Sequence, residues 1–85
     1  MTTVRIMYWQ DVPSLLEATG DDGTTVKRQL PDWYQQEIDR VAMAQGLVGS
    51  DDYLAHWRWS EPEERAGAPS DVLDAVEREL EEARA

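Results

Sequence analysis

The 85-residue sequence predicts a small α+β domain, with a three- or four-stranded, mainly antiparallel sheet and two helices packed on one face. Three observations predict this class. Short β-rich runs lie near the N-terminus and in the middle of the chain, two segments show helical spacing of apolar residues, and turns with glycine or proline separate them. The length allows one domain, residues 1–85, with a core at about 3–60 and an acidic C-terminal helix at about 69–84.

The first predicted strand covers residues 3–9, which are rich in β-branched and aromatic side chains. Because apolar side chains point to both faces, we expect this strand to be covered on both sides for most of its length. Aspartate and proline end the run within residues 10–13. Residues 14–19 are open to either state, because the segment is short for a helix and its leucine pair fits a strand as well.

A turn with two glycines at residues 20–23 leads into a second predicted strand, 24–30. Pro31 is favoured at the start of the helix that follows. We expect this helix to end at Gly46 in a left-handed cap, with a hydrophobic contact from Leu47. Its predicted inward-facing stripe consists of Tyr34, Ile38, Val41, Ala42 and Gln45.

The composition of residues 53–59 favours a strand, and a helical turn at 51–54 followed by extended chain is the alternative. Residues 60–68 have the composition of a polar, charged loop.

A second helix begins at Pro69 or Ser70 and presents an acidic outer face. Asp74 and Arg78 are spaced to form an i,i+4 ion pair worth about 0.2–0.5 kcal/mol. The apolar stripe of this helix consists of Val72, Leu73, Val76, Leu80 and Ala83.

The composition excludes several kinds of site and disfavours several kinds of binding partner. The chain has no cysteine, so a disulfide, a thiolate metal site and a thiol nucleophile are all excluded. Its 18 acidic and 8 basic residues give a net charge of −10, which disfavours binding to nucleic acid or to anionic membranes. No apolar run approaches the roughly 20 residues that span a bilayer, and no signal-peptide layout is present. We therefore expect a cytoplasmic protein.

The sequence offers little for catalysis, and we predict no catalytic, metal-binding or cofactor-binding residue. His56 is the single histidine, so a histidine metal cluster cannot form. Asp11, Asp51 and Asp52 could supply oxygen ligands to a cation, but their spacing matches no calcium loop, and turn or capping roles are simpler. A small carboxylate enzyme built on Asp11 and Asp52, with His56, is retained as an alternative.

Four tryptophans and three tyrosines, without any phenylalanine, are the unusual feature of the chain. Tyrosine and tryptophan are enriched at protein interfaces, although large side chains filling a thin core would also explain them. We predict a contact surface for another protein, where the end of the first strand meets the 53–60 segment. Arg58 is expected to pair with Asp11 or to stack on a tryptophan. The predicted contact residues are Trp9, Asp11, Pro13, Trp57, Arg58 and Trp59.

Mimicry of nucleic acid by the acidic C-terminal helix is a further alternative. From Glu61 onward the chain has nine acids against three bases, and residues 1–60 have nine against five. The negative charge is therefore spread over the molecule as well as concentrated in the helix, which weakens this hypothesis.

Four short motifs occur in a characteristic order: Tyr8-Trp9-Gln10-Asp11-Val12-Pro13, Arg28-Gln29-Leu30-Pro31, Ile38-Asp39 with Ala42-Met43, and Asp52-Tyr53-Leu54 with Trp57. Together they resemble the small bacterial domain family called virulence factor, over roughly residues 4–60. They are also similar to a segment of conserved virulence factor C, where the domain accompanies helical repeats.

The resemblance implies a binding role and no reaction. It suggests an accessory or scaffold module for another cytoplasmic protein, and a folate- or corrinoid-linked one-carbon enzyme as one such partner. The family pattern also leads us to expect a β-rich, basic stretch after Pro13, where this chain has SLLEATGDDG.

Overall fold

The computed structural model describes residues 1–84, with the side chains of residues 1–83. It confirms the predicted α+β class, with five strands rather than three or four and with three helices rather than two. In chain order the elements are β1 (Thr2–Trp9), β2 (Val12–Thr19), β3 (Thr25–Gln29), α1 (Asp32–Ala44), α2 (Asp51–Ala55), β4 (Trp57–Trp59), β5 (Glu63–Arg65) and α3 (Pro69–Arg84).

Strand β1 lies at the centre of an antiparallel sheet. One edge pairs with β2, which in turn pairs with β3. The other edge is shared, because β4 pairs with residues 7–9 and β5 pairs with residues 2–4. Ser60 bridges the interval: its amide donates to the carbonyl of Ile6 at 2.7 Å, and its hydroxyl accepts from the Ile6 amide at 2.8 Å. Both edges of β1 are therefore occupied.

The segment that the sequence left open, residues 14–19, belongs to β2. A two-residue turn joins β1 to β2, and its first residue, Gln10, has φ of +53°. Between Met7 and Tyr8 of β1 the register of pairing with β2 shifts, which leaves Ser14 of β2 as the extra residue of a β-bulge. Pro13 precedes this bulge and lies beyond the stretch that pairs with β3, where its missing N–H is tolerated.

The expectation of a strand over residues 53–59 is wrong for its first half. Residues Asp51–Ala55 form the short helix α2, and only Trp57–Trp59 are extended, as in the alternative. Two acidic residues in the first turn suit the positive end of that helix. The predicted loop at 60–68 is also corrected, because Glu63–Arg65 pairs with β1 as β5.

Helix α1 ends as predicted. The amide of Leu47 donates to the carbonyl of Ala42 at 2.9 Å, and that of Gly46 to Met43 at 3.1 Å, which is the Schellman pattern. Gly46 has φ of +70°, a conformation that glycine adopts without strain. At the other end Pro31 occupies the N-cap, one position earlier than predicted.

The core has two parts. The larger part joins β1 and β2 to both long helices, so α1 and α3 share the sheet face that carries Val4, Leu16 and Ala18. The smaller part encloses Trp9 against α1. The larger cluster consists of Val4, Leu16, Ala18, Leu30, Tyr34, Val72, Leu73 and Val76, and the smaller one of Trp9, Ile38 and Ala42.

Ion pairs at the surface add to the apolar contacts between α3 and the sheet. Asp74 contacts Arg28 of β3, and Arg65 of β5 makes two hydrogen bonds to Glu79 at 2.5 and 2.8 Å. The expected Asp74–Arg78 pair is therefore replaced by a contact between elements, because Asp74 faces the half-buried Arg28. Within the described chain, no helix is both long and apolar enough to cross a membrane.

Candidate functional site

The pairing of β1 with β4 brings several predicted contact residues together. Trp9 lies opposite Trp57, Tyr8 opposite Arg58, and Met7 opposite Trp59. Side chains of paired residues share a face, and neighbours in a strand alternate between faces. Trp57 and Trp59 therefore lie on one side of the sheet and Arg58 on the other, so the predicted residues do not form one continuous surface.

Trp9 is removed from the predicted contact surface, because its side chain is fully buried. Its indole Nε1 donates to the carbonyl of Tyr53 at 2.7 Å, and its ring lies 5.4 Å from that of Tyr53. His56 packs edge-on against the same indole, with the ring centroids 5.6 Å apart. Trp57 is half-buried beside this group, with an edge-to-face contact to Tyr53. The aromatic cluster joins α2 to the sheet.

Arg58 lies on the helix-covered side of the sheet. Its guanidinium is 4.9 Å from the ring centroid of Tyr8 and donates to the carbonyl of Gln10 at 3.1 Å. The predicted pair with Asp11 is present at 3.9 Å between Nη2 and Oδ1. The stacking partner is a tyrosine where a tryptophan was expected. Both charged side chains are largely exposed, so their attraction is screened by solvent.

Asp11 and Pro13 line an open cleft of about 320 Å³ between the β1–β2 turn, α1 and the end of α3. Trp33, which is 42% exposed, contributes one wall and packs edge-to-face on Tyr34. The second carboxylate of the cleft, Glu37, accepts hydrogen bonds from Arg40, which keep its pKa below the usual range. The rings and carboxylates of this cleft are thus largely engaged with other groups of the chain.

The other side of the sheet carries three rows of half-exposed or exposed side chains, here called the open face. The buried residues of α1 and α3 pack against the opposite side of β1 and β2, except that Ile38 and Ala42 of α1 cover Trp9 at the end of β1, where the open face stops. Each row crosses the strands through directly paired residues. The apolar row is Trp59–Met7–Leu15, the charged row is Arg5–Glu17–Lys27, and the threonine row is Thr3–Thr19–Thr25.

Arg5 connects the apolar and charged rows. Its Nε donates to Glu17 Oε1 at 2.6 Å, and its guanidinium carbon lies 3.9 Å from the centroid of the Trp59 ring. Lys27 approaches the other oxygen of the same carboxylate at 3.9 Å. Glu17 is only 14% exposed, whereas Arg5 is 38% exposed. The guanidinium is therefore held in place yet accessible from solvent.

A family model described as virulence factor matches residues 7–84. The chain belongs to the virulence factor family. The match runs from the end of β1 through α3, which is farther toward the C-terminus than the residues that carried the resemblance. A search of curated proteins and a search of solved structures each gave no match.

The three carboxylates that could supply ligands to a cation, Asp11, Asp51 and Asp52, do not form a common site. Asp11 lies in the β1–β2 turn beside Arg58, whereas Asp51 and Asp52 form the first turn of α2. Throughout residues 1–84, no group of three or more histidine, aspartate or glutamate side chains is arranged to hold a metal ion.

Sequence reasoning missed Arg5, Met7, Leu15 and Glu17 as members of a surface. One signal was present, because the alternation in residues 3–9 already places Arg5 and Met7 on the same side. Leu15 and Glu17 have no such signal, because residues 14–19 fit either a helix or a strand. We expected β1 to be covered on both sides, but Arg5 and Met7 each keep part of their surface exposed.

Proposed function

We propose that the protein is a non-catalytic accessory or scaffold module that binds another protein through the open face. One observation carries this proposal: the apolar row Trp59–Met7–Leu15 keeps partial exposure on a sheet face that the two long helices do not cover. Contiguous apolar side chains with a polar border are typical of protein contact sites. Tryptophan is among the residues that most often dominate binding energy there.

The open face is a better candidate for the binding surface than the cleft, because the side chains that line the cleft already contact one another. In the cleft, Tyr8 is stacked under Arg58, and Trp33 packs on Tyr34. Glu37 is held by Arg40. A ligand would have to compete with these contacts, whereas Met7 and Leu15 of the open face offer partly exposed apolar surface without an ion pair to displace. On the open face the apolar row lies in register across three strands, so a partner would meet a preformed surface and lose little conformational entropy there.

The distribution of ion pairs supports protein binding over nucleic-acid mimicry. Asp74 and Glu79, two acids of α3, are engaged by Arg28 and Arg65. Part of the acidic surface is thus used to attach the helix to the sheet. That the partner is a cytoplasmic protein, and a folate- or corrinoid-linked one-carbon enzyme in particular, stays a prediction of the family resemblance.

Affinity purification of the tagged full chain from its own organism tests the proposal. Leu15→Ala and Met7→Ala should lose the partner at least tenfold relative to wild type. Leu54→Ala and Met43→Ala are matched controls, since these side chains are 67% and 70% exposed outside the open face. They should retain it.

Melting temperatures of all four variants separate lost contact from lost folding. Equal capture by the open-face variants and their controls would contradict the proposal, as would recovery of the chain alone at native expression and low salt.

A further inference from the structure

We infer that Arg5 binds a carboxylate of the partner, so that the segment docking on the open face presents an aspartate or glutamate between apolar side chains. The inference rests on the proposed function, because it names the chemistry of the partner at that same face. It is carried by the position of one guanidinium and by what surrounds it.

The Arg5 guanidinium is fixed on two sides. Nε donates to Glu17 Oε1 at 2.6 Å, and the guanidinium carbon lies over the Trp59 ring, 3.9 Å from its centroid. Neither terminal nitrogen, Nη1 nor Nη2, has a hydrogen-bond partner within residues 1–84. These two nitrogens form the end of the guanidinium, whose parallel N–H groups match the two oxygens of a carboxylate.

Glu17 acts as a positioning residue for this arrangement. It is 14% exposed and lies between Arg5 and Lys27, which is 62% exposed. Fixing the guanidinium before a partner arrives reduces the entropy that binding would cost. A freely rotating surface arginine would lose more conformational freedom on binding.

Local charge favours an acidic group at this row despite the net charge of −10. The charged row contains two cations and one anion, and the anion is the least exposed of the three. Glu64 belongs to the row beyond, opposite Thr3 at the β5 edge. A carboxylate approaching over the apolar row therefore reaches Arg5 first. The overall negative charge opposes a polyanion such as nucleic acid and leaves a single carboxylate as the fitting occupant.

The spacing of the rows defines the segment that would fit. Arg5 and Met7 are two residues apart on one strand, which places their side chains roughly 7 Å apart on the same face. Alternate side chains of an extended peptide have the same spacing. A glutamate flanked at alternate positions by leucines can therefore place its carboxylate at Arg5 and an apolar side chain at Met7.

Nuclear magnetic resonance titration of the full chain with acetyl-Leu-Thr-Glu-Thr-Leu-amide tests this directly, with the glutamine-for-glutamate peptide as control. We expect the glutamate peptide to bind at least tenfold more tightly and to shift the Arg5 Nε–H and Trp59 Nε1–H signals. Arg5→Gln should abolish the difference between the peptides, and Arg5→Lys should reduce it. Equal binding of both peptides, no binding of either, or shifts confined to the cleft would overturn the inference.

Capture from the organism separates this inference from the proposed function. Arg5→Gln is compared with Arg40→Gln, which removes the same charge from the outer surface of α1, and with Leu15→Ala. If Leu15→Ala loses the partner while Arg5→Gln and Arg40→Gln both retain it, the inference fails and the proposed function stands. If none of the three changes capture, the open face itself is wrong. Selective loss in Arg5→Gln and Leu15→Ala supports both.

Discussion

Trp9 and Tyr53 are joined by a hydrogen bond of 2.7 Å from the indole Nε1 to a backbone carbonyl. Trp9 is the last residue of β1, and Tyr53 lies in α2, 44 positions later. The buried indole also packs on Ile38 and Ala42 of α1. One side chain thus connects the central strand with two helices, and the region that leads into β4 depends on it.

Trp9→Ala should therefore destabilise the fold strongly. Truncation of a buried tryptophan costs about 3–5 kcal/mol, a large part of the roughly 5–15 kcal/mol available to a domain. Trp59→Ala, at a partly exposed position, should cost about 1 kcal/mol. Urea denaturation of the two variants measures the difference. Equal midpoints for both would show that Trp9 does not have the structural role described here.

The conformation of Gln10 in the turn between β1 and β2 can be tested by comparing the stability of two variants. Gln10 adopts φ of +53°, which costs a residue with a side chain about 1–2 kcal/mol relative to glycine. Gln10→Gly and Gln10→Ala both remove the side-chain hydrogen bonds to Gln45, but only glycine relieves the backbone. The glycine variant should melt several degrees above the alanine variant. A reversed order would contradict the assigned turn conformation.

Stability in acid should depend on the Arg65–Glu79 pair. Hydrogen bonds from Arg65 lower the pKa of Glu79 below its ordinary value of 4.5. A carboxyl whose pKa is lower in the folded state stabilises the protein above its ordinary pKa, and this stabilisation is lost as the pH falls through the folded value. Glu79→Gln should therefore reduce stability at pH 7 and flatten its decline between pH 5 and 3.

Glu64→Gln removes the same charge from an exposed position on β5 and serves as the control in the acid series. Chemical denaturation at intervals of half a pH unit resolves the two profiles. A Glu79→Gln profile parallel to that of wild type would count against a role for this pair in holding α3 to the sheet.

The cleft provides a test of which surface is used. Trp33 is 42% exposed, so Trp33→Ala should lower the free energy of unfolding by about 1 kcal/mol or less. It should also leave partner capture intact, since the proposed contact is on the other side of the sheet. Loss of capture with an unchanged melting temperature would instead transfer the binding site to the cleft.

The two long helices, α1 and α3, were the most predictable part of the chain. In α1 and α3 the apolar spacing follows the helical period without interruption, and Gly46 supplies a local termination signal. The second strand was not predictable, because its adjacent Leu15 and Leu16 fit a helix as well as a strand, although in the structure they lie on opposite sides of β2. Strand β5 has no apolar pattern, and it forms because an edge of β1 is available.

The candidate site depends on contacts that are distant in sequence. Trp59 meets Arg5 only because β4 pairs with β1 in one particular register. A shift of one residue would place Arg58 on the open face and both neighbouring tryptophans on the other side. The tryptophan-rich composition indicated a binding surface near residues 57–59. The residues that lie beside Trp59 are determined by the pairing of β4 with β1, which the sequence alone does not reveal.

The division of one edge of β1 between β4 and β5 affects how the chain folds as it is synthesised. β1, β2 and β3 can pair as soon as about the first 30 residues are available, because their connections are short. The far edge of β1 then has no partner until residues 57–65 emerge. An unpaired strand edge invites association with other chains. Truncated chains that end between about residues 35 and 55 should therefore be the most prone to aggregate, and chains that extend past residue 65 should lose that tendency.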